Sequence, residues 1–122
     1  MSFKFENLEV WRSSKKFISE IYLLTNSFPK EELFGLTSQM RRAAVSIALN
    51  IAGGSSRRSD PEFIRFLNIA RASLNEVVTG LFIAKDLNFI KKQEEFDYFY
   101  NLCDNLAARL GALSKVLKSS SR

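Results

Sequence analysis

The chain has 122 residues, of which 46% are hydrophobic and 25% charged, a mixture typical of one globular domain spanning residues 1–122. One cysteine excludes an internal disulfide, and the absence of histidine excludes a histidine-based catalytic triad and the Glu-x-x-His metal sites of four-helix proteins. The net charge of +5 is compatible with an acidic partner such as nucleic acid, and equally with an ordinary solvated surface.

The beginning of the chain, MSFKFENLEVW, lacks the apolar run of a signal peptide. The longest apolar stretch, residues 43–52, is interrupted by Ser46 and Asn50 and is far shorter than the roughly 18 residues that span a bilayer. We therefore expect a cytoplasmic protein that makes no membrane contact.

The first predicted helix covers about residues 7–26. Its core-facing residues recur at helical spacing and are Leu8, Trp11, Ile18, Ile21, Tyr22 and Thr25. Trp11 is therefore assigned a structural role. The pair Phe28-Pro29 ends the helix, because a residue before proline avoids the helical conformation. The linker PKEELFG follows, with room for a short turn of its own.

The second predicted helix covers about residues 37–53, with Thr37 as its N-cap. Its core face is formed by Leu36, Met40, Ala43, Ile47 and Ile51. Gly53 and Gly54 end the helix, because glycine readily takes the left-handed conformation of a helix terminus. Asn50 lies at the edge of the core face, and we assign it a structural role in helix register or oligomer geometry in preference to ligand contact.

Two longer helices are predicted over about residues 60–88 and 92–118. The sequence SDPE at residues 59–62 predicts a capping box with proline in the first turn of the third helix. Each helix has an apolar seam with steps of three and four residues. The seam of the third helix is Phe63, Leu67, Ala70, Leu74, Val77, Leu81 and Ala84. The seam of the fourth helix is Phe96, Phe99, Cys103, Leu106, Leu110, Leu113 and Leu117.

The four helices predict an all-α fold, since no alternating strand pattern occurs. Short loops favour an antiparallel up-down-up-down four-helix bundle, and a long two-helix coiled coil is the alternative. The second helix is also apolar on the side opposite its core face, at Val45, Leu49 and Ala52. We therefore predict a homo-oligomer with these three residues at its interface, the alternative being scattered exposed apolar side chains.

No motif in the chain points to catalysis. Cys103 lies on an apolar seam and is typical of a small buried hydrophobe. Glu94, Glu95 and Asp97 open the fourth helix, where acids favour the helix dipole. The chain has no phosphate-loop or dinucleotide-binding pattern. We therefore expect a non-enzymatic protein that uses no cofactor and binds no metal.

Arginines are concentrated in one quarter of the chain, where only two acids accompany them. The group is Arg41, Arg42, Arg57, Arg58, Arg65 and Arg71. Guanidinium groups match phosphate oxygens, and Arg57 and Arg58 precede a helix N-terminus, where free N–H groups favour anions. The group predicts a site for the backbone of RNA or DNA with little sequence specificity.

Two alternatives account for these charges without nucleic acid. Glu62 occupies the helix N-terminus in the first, and Arg41 or Arg42 pairs with acids across the bundle in the second. Aromatic residues lie mostly at seam positions, so no platform for base stacking is expected.

Three segments resemble one known family: FENLEVWRSSKKF, LTSQMRRAAVSIALNIAGGSSRRSDPEFIRFLNIARASLNEV and IAKDLNFI. The family comprises four-helix-bundle proteins encoded in intervening sequences of large-subunit ribosomal RNA genes. The resemblance covers about residues 3–115 and is most specific at RAAVSI, residues 42–47, and NIA, residues 50–52. The family usually reads NIAEG, so Gly53 stands where the glutamate is expected, and any charge role of that acid is absent here.

The resemblance implies an antiparallel bundle that assembles as a ring-shaped homopentamer. The chain is also similar to the accessory variability proteins of diversity-generating retroelements, which are basic pentamers that bind a reverse transcriptase and nucleic acid. Two functional hypotheses follow, and an enzyme of unrecognised type, which would need a cleft with strongly shifted ionisable groups, is a third possibility. The first is a basic oligomer that binds the backbone of RNA or DNA. The second is a protein-interaction adaptor that recruits a partner such as a reverse transcriptase, with the basic patch incidental.

Overall fold

The computed structural model describes residues 2–120, which form four long helices and two short 3-10 turns. The helices are α1 (Glu9–Asn26), α2 (Leu36–Ser55), α3 (Asp60–Asp86) and α4 (Gln93–Ser120), and the 3-10 turns are Lys4–Asn7 and Lys30–Glu32. Residues 2–120 contain no β-strand, so the predicted all-α class with four helices is confirmed. None of the helices in this range combines the length and the apolar character that crossing a membrane requires.

The core is built mainly along α3. All seven predicted seam residues of this helix are buried. It packs extensively on α2 and then on α4, whereas the contact between α1 and α4 is much lighter. On α4 the predicted seam is buried from Phe96 to Leu110, but Leu113 and Leu117 are half-buried and Ser114 takes the buried position between them. The seam therefore carries the hydrophobic contacts that hold the helices together.

The buried face of α1 differs from the predicted one. Tyr22, predicted to face the core, is 41% exposed, and the buried residues are Val10, Ser14, Phe17, Ile21, Leu24 and Thr25. The observed stripe contains two hydroxyl residues, Thr25, which was predicted, and Ser14, which was not. Their burial is possible because Ser14 donates to the Trp11 carbonyl at 2.6 Å and Thr25 to the Ile21 carbonyl at 2.8 Å.

The start of α2 also differs from the prediction. The helix begins at Leu36, and Gly35 is its N-cap, so Thr37 does not cap it and lies buried in the first turn. The Glu32 side chain accepts a hydrogen bond from the Leu36 N–H at 3.1 Å. A carboxylate from the preceding turn therefore satisfies one of the free N–H groups that an N-cap side chain would otherwise serve.

The end of α2 corrects the prediction that Gly53 and Gly54 stop the helix. Both glycines lie inside α2, and neither has a positive φ. Gly54 is buried at a close approach to α3: an added Cβ would lie 2.7 Å from the Phe66 Cβ and 2.8 Å from the Phe63 Cδ1. Glycine at this position is therefore explained by the lack of space for a side chain between the two helices.

At the start of α3, one of the two hydrogen bonds of the predicted capping box is present. The Ser59 Oγ accepts a hydrogen bond from the Glu62 N–H at 3.3 Å, and Pro61 lies in the first turn. The Glu62 side chain, however, accepts hydrogen bonds from Arg65. The structure thus contradicts the alternative in which the Glu62 carboxylate turns back to the helix N-terminus.

Adjacent glycines in α2 give a matched test of the packing at Gly54. We predict that Gly54→Ala lowers the free energy of unfolding by about 1–3 kcal/mol, since overpacking at a tight contact forces the helices apart. Gly53→Ala is the control, because its added Cβ would lie 3.6 Å from Phe66, an ordinary contact. This control should raise the stability by up to about 1 kcal/mol through helix propensity.

The measurement is urea denaturation followed by circular dichroism at one fixed protein concentration. If the two variants have the same stability, α2 and α3 do not approach each other closely at Gly54.

Candidate nucleic-acid interface

One end of the molecule, here called the basic end, is formed by residues 2–16, 55–65 and 109–120. Two contacts join these segments: the Ser120 Oγ donates to the Asp60 carboxylate at 2.9 Å, and Arg109 forms an ion pair with Glu9. The 3-10 turn at Lys4–Asn7 packs on both α1 and α2. The segments carry ten cations, which are Lys4, Arg12, Lys15, Lys16, Arg57, Arg58, Arg65, Arg109, Lys115 and Lys118. They carry four carboxylates, which are Glu6, Glu9, Asp60 and Glu62.

The opposite end is formed by residues 20–42 and 80–98. A hydrogen bond from Tyr98 to Glu20 and the ring contact between Phe28 and Phe89, with centroids 5.5 Å apart, hold it together. It carries six cations, which are Lys30, Arg41, Arg42, Lys85, Lys91 and Lys92. It carries seven carboxylates, which are Glu20, Glu31, Glu32, Asp86, Glu94, Glu95 and Asp97. The positive charge of the described chain therefore lies at one end.

The six arginines singled out in the sequence do not form one patch. Arg57, Arg58 and Arg65 belong to the basic end, whereas Arg41 and Arg42 lie at the opposite end. The separation arises because α2 runs between the two groups, and its residues 41–55 alone rise by roughly 21 Å. Closeness in sequence therefore did not mean closeness in space for these residues.

Two of the remaining arginines have neighbours within the fold. The Arg41 Nε donates to the Thr25 Oγ1 at 2.8 Å, and its guanidinium lies 4.5 Å from the centroid of the Tyr22 ring. Arg41 therefore joins α2 to α1 through a hydroxyl and an aromatic ring, and not through the acid that the sequence alternative proposed. Arg71 is exposed and lies near Gly111 of α4, midway between the two ends.

The basic end contains two guanidinium groups on one aromatic ring. The guanidinium carbon of Arg57 lies 4.6 Å from the Phe66 centroid, and that of Arg65 lies 4.9 Å from it. An aromatic ring attracts cations through its quadrupole, so Phe66 offsets part of the repulsion between them. Within residues 2–120, Arg57 and Arg58 form no ion pair with a carboxylate, so both remain available to an anion.

Phe66 was not recognised from the sequence as part of the site. It lies one residue before Leu67 of the α3 seam and is half-buried. An aromatic residue off the seam and next to an arginine is the signal that could have identified it. Its contact with Arg57, across the turn between α2 and α3, requires the three-dimensional structure.

The N-terminus of α3 is less available to an anion than the sequence suggested. Ser59 already accepts the Glu62 N–H, and the first turn holds two carboxylates, those of Asp60 and Glu62. Hydrogen bonding from Arg65, together with its charge and the charge of Arg57, lowers the pKa of Glu62 from its ordinary value of 4.5. Glu62 is therefore ionised at neutral pH and neutralises part of the Arg65 charge.

Asn50 is hydrogen-bonded inside the chain. Its Nδ2 donates to the Ser46 carbonyl at 2.8 Å and to the Ser46 Oγ at 3.1 Å. The Ser46 Oγ lies 2.9 Å from the Ser73 Oγ on α3. These bonds form a polar link between the middles of α2 and α3, which supports a structural role for Asn50. Trp11, the other residue assigned such a role, is half-buried, and its ring lies 4.6 Å from that of Phe5.

The apolar side of α2 is only partly covered within the chain. Val45 and Ala52 are half-buried, and Leu49 is 66% exposed. An exposed leucine between two half-buried apolar residues leaves a hydrophobic strip on the surface.

Two further kinds of site were considered, a reactive thiol and a metal centre. Burial raises the pKa of the Cys103 thiol to about 12, so the thiol stays protonated at neutral pH and is a poor nucleophile. Among residues 2–120, no group of three or more acidic or cysteine side chains is placed to hold a metal ion.

Comparison with known proteins gives a family and a related structure. Residues 6–112 match the family described as 23S rRNA-intervening sequence protein. The chain belongs to this family. A crystal structure of a protein of unknown function from the S23 ribosomal protein family of Bacteroides thetaiotaomicron is similar, with a TM-score of 0.78 and 25% sequence identity. The match covers 87% of this chain and 98% of the Bacteroides chain. Comparison with curated proteins gives no match.

Gly53 stands where the family resemblance predicts a glutamate. A Cβ added there would lie 3.6 Å from the Phe66 Cε1, so a side chain at this position would start beside the ring that Arg57 and Arg65 share. Glutamate, which the resemblance places here, would bring a carboxylate close to both arginines. Glycine carries no charge, so residue 53 does not neutralise these guanidinium groups.

We predict that the Glu62 carboxyl titrates below pH 4.5 and that Arg65→Gln raises its pKa towards that value. Arg57→Gln should raise it by less, because only its charge contributes. The measurement is an NMR titration of the side-chain carboxyl.

The same shift determines a small effect of pH on stability. Because the pKa of Glu62 is lower in the folded state, the contribution of this ion pair is present above about pH 4.5 and is lost as the pH falls through the folded-state pKa. An unchanged Glu62 pKa in Arg65→Gln would show that the two side chains are not paired in solution.

Proposed function

We propose that the protein is a non-enzymatic nucleic-acid-binding protein that contacts the backbone of RNA or DNA through its basic end. The observation that carries the proposal is the distribution of charge: ten cations against four carboxylates at one end, and six against seven at the other. A polyanion is attracted to such a surface through its phosphates. Family membership in the 23S rRNA-intervening sequence proteins is compatible with a role connected to RNA.

Arg57, Arg58 and Arg65 are the proposed centre of the contact. Guanidinium groups bind phosphate oxygens in a two-pronged geometry, and Phe66 holds two of these groups close together. Phosphates carry no direct sequence information, so binding should be steeply salt-dependent and only weakly sequence-specific. Arg41 and Arg42 are left out of this contact because they lie at the near-neutral end.

We further propose that the helices form an antiparallel up-down-up-down bundle. Contacts of α2 with α3 support it, because Met40 meets Gly80, Ser46 meets Ser73 and Gly54 meets Phe63. Residue numbers thus rise along one helix as they fall along the other.

The bundle is proposed to assemble as a ring-shaped homo-oligomer, a pentamer by family resemblance. The exposed Leu49 between Val45 and Ala52 supports an additional apolar contact. A ring would repeat the basic end once per subunit, and repeated weak contacts to one strand strengthen each other.

The same apolar strip favours a second candidate function, an adaptor that recruits a protein such as a reverse transcriptase. The two candidates differ in what the basic end does. Salt-sensitive binding of nucleic acid favours the first, and its absence favours the adaptor.

We predict that Arg57→Ala combined with Arg58→Ala weakens binding to RNA and DNA oligonucleotides and reduces the dependence of affinity on salt. Each lost phosphate contact should lower the slope of log K against log salt by about 0.7–0.9 per subunit. Fluorescence anisotropy with labelled oligonucleotides of unrelated sequence, at several salt concentrations, measures both quantities.

The matched control is Lys91→Ala combined with Lys92→Ala, which removes two adjacent exposed cations from the opposite end. Equal losses in the two double variants would mean that net charge, and not the basic end, determines binding. Glu62→Gln provides a change of opposite sign: freeing Arg65 from its carboxylate should tighten binding.

A second prediction concerns assembly. Leu49→Glu should shift the protein from oligomer to monomer, because a carboxylate would be buried in an apolar contact. Leu87→Glu, which changes another exposed leucine of the described chain, should leave the mass unchanged. Light scattering coupled to gel filtration measures the mass, and a monomeric unmodified protein would contradict the ring.

A further inference from the structure

An exposed aromatic stack lies at the basic end, although the positions of the aromatic residues in the sequence predict no such platform. The rings of Phe3 and Phe5 stack with centroids 5.8 Å apart and planes at 25°. Phe5 in turn packs against Trp11 at 4.6 Å, and Lys15 covers Trp11 at 4.7 Å. Phe3 is 64% exposed, so the stack has an anchored inner part and an open outer ring.

Hydrogen bonds fix the segment that carries Phe3. The Glu6 carboxylate accepts the Phe3 N–H at 2.9 Å, which closes the 3-10 turn, and the Arg12 Nη1 donates to the Glu6 carbonyl at 2.8 Å. The turn packs on α1 and α2. A ring held in place in this way loses less entropy on binding than one on an unrestrained terminus.

The charges around the stack suit a polyanion. Four cations lie within residues 2–16, namely Lys4, Arg12, Lys15 and Lys16. Both carboxylates of this segment are already engaged, since Glu6 accepts the Phe3 N–H and Glu9 pairs with Arg109. Two of these cations are placed beside the stack, Lys15 over Trp11 and Arg12 at the Glu6 carbonyl. An exposed ring with cations nearby has the two elements that bind unpaired nucleotides: a surface for the base and charges for the phosphates.

Two other exposed phenylalanines, Phe34 and Phe82, lie in more acidic surroundings. Phe34 is 93% exposed but makes no ring contact within residues 2–120, and Glu31 and Glu32 lie close before it in the chain. Phe82 packs with Phe96 and Tyr100, but at the end that carries the excess of carboxylates.

We propose that Phe3, supported by Phe5, stacks on an unpaired base, so that the ligand of the basic end is single-stranded RNA or DNA. This inference rests on the proposed function and specifies its ligand. The base would stack on Phe3 while its neighbouring phosphates meet the cations of the basic end. A duplex keeps its bases stacked internally and would use the phosphate contacts alone.

Trp11 reports on this site, because it is the only tryptophan of the chain and touches Phe5. Oligo(dT) should quench the Trp11 fluorescence, and a duplex of the same length should quench it less. Phe3→Ala should weaken oligo(dT) binding by about tenfold and leave duplex binding unchanged. Phe3→Tyr retains an aromatic face and should restore the affinity, and Phe34→Ala is the control for loss of an exposed ring.

The outcomes separate the stack from the proposed function. If Arg57→Ala with Arg58→Ala weakens binding to both ligands while Phe3→Ala weakens neither, the stacking inference fails and the proposed function stands. If neither ligand binds, both fail. A change of oligomeric mass in Phe3→Ala, measured by light scattering, would assign the ring to a contact between subunits and would overturn the inference.

Discussion

The close contact between α2 and α3 at Gly54 determines much of what the protein presents to its surroundings. Without a side chain at this position, the first turn of α3 lies directly against the last turn of α2, and the Phe63 and Phe66 rings fill the space. The polypeptide can then turn within residues 56–59, which are exposed and carry Arg57 and Arg58. Phe66 is placed where Arg57 and Arg65 both reach its ring. The close packing at Gly54 thus brings Arg57 and Arg65 together beside the turn between α2 and α3.

The sequence predicted apolar helix faces better than it predicted buried hydroxyl residues or the role of glycines. The seam of α3 was predicted fully because seven apolar residues at steps of three and four leave one helical arrangement. The face of α1 was partly missed: Thr25 was predicted, but Ser14 was not, because its burial depends on a hydrogen bond to the Trp11 carbonyl of its own helix. The glycines of α2 were misread because the reason for Gly54 lies on another helix.

The candidate site was less predictable than the fold. The six arginines are close in sequence but lie in separate regions, because each residue of a helix adds to the distance along its axis. Conversely, Lys4, Arg65 and Lys115 are far apart in sequence, but their segments meet at one end through the contacts of Asp60 with Ser120 and Glu9 with Arg109. Such a surface emerges only when the order and direction of the helices are known.

The unequal ends would also affect how the molecule approaches a charged partner. Positive charge at one end and slight negative charge at the other give the subunit an electric dipole along its helices. In the field of a polyanion this dipole would experience a torque that turns the basic end forward before contact, and salt would weaken the alignment. In a ring whose subunits point the same way, the dipoles would add along the ring axis. The assembly would then attract a polyanion at one face only.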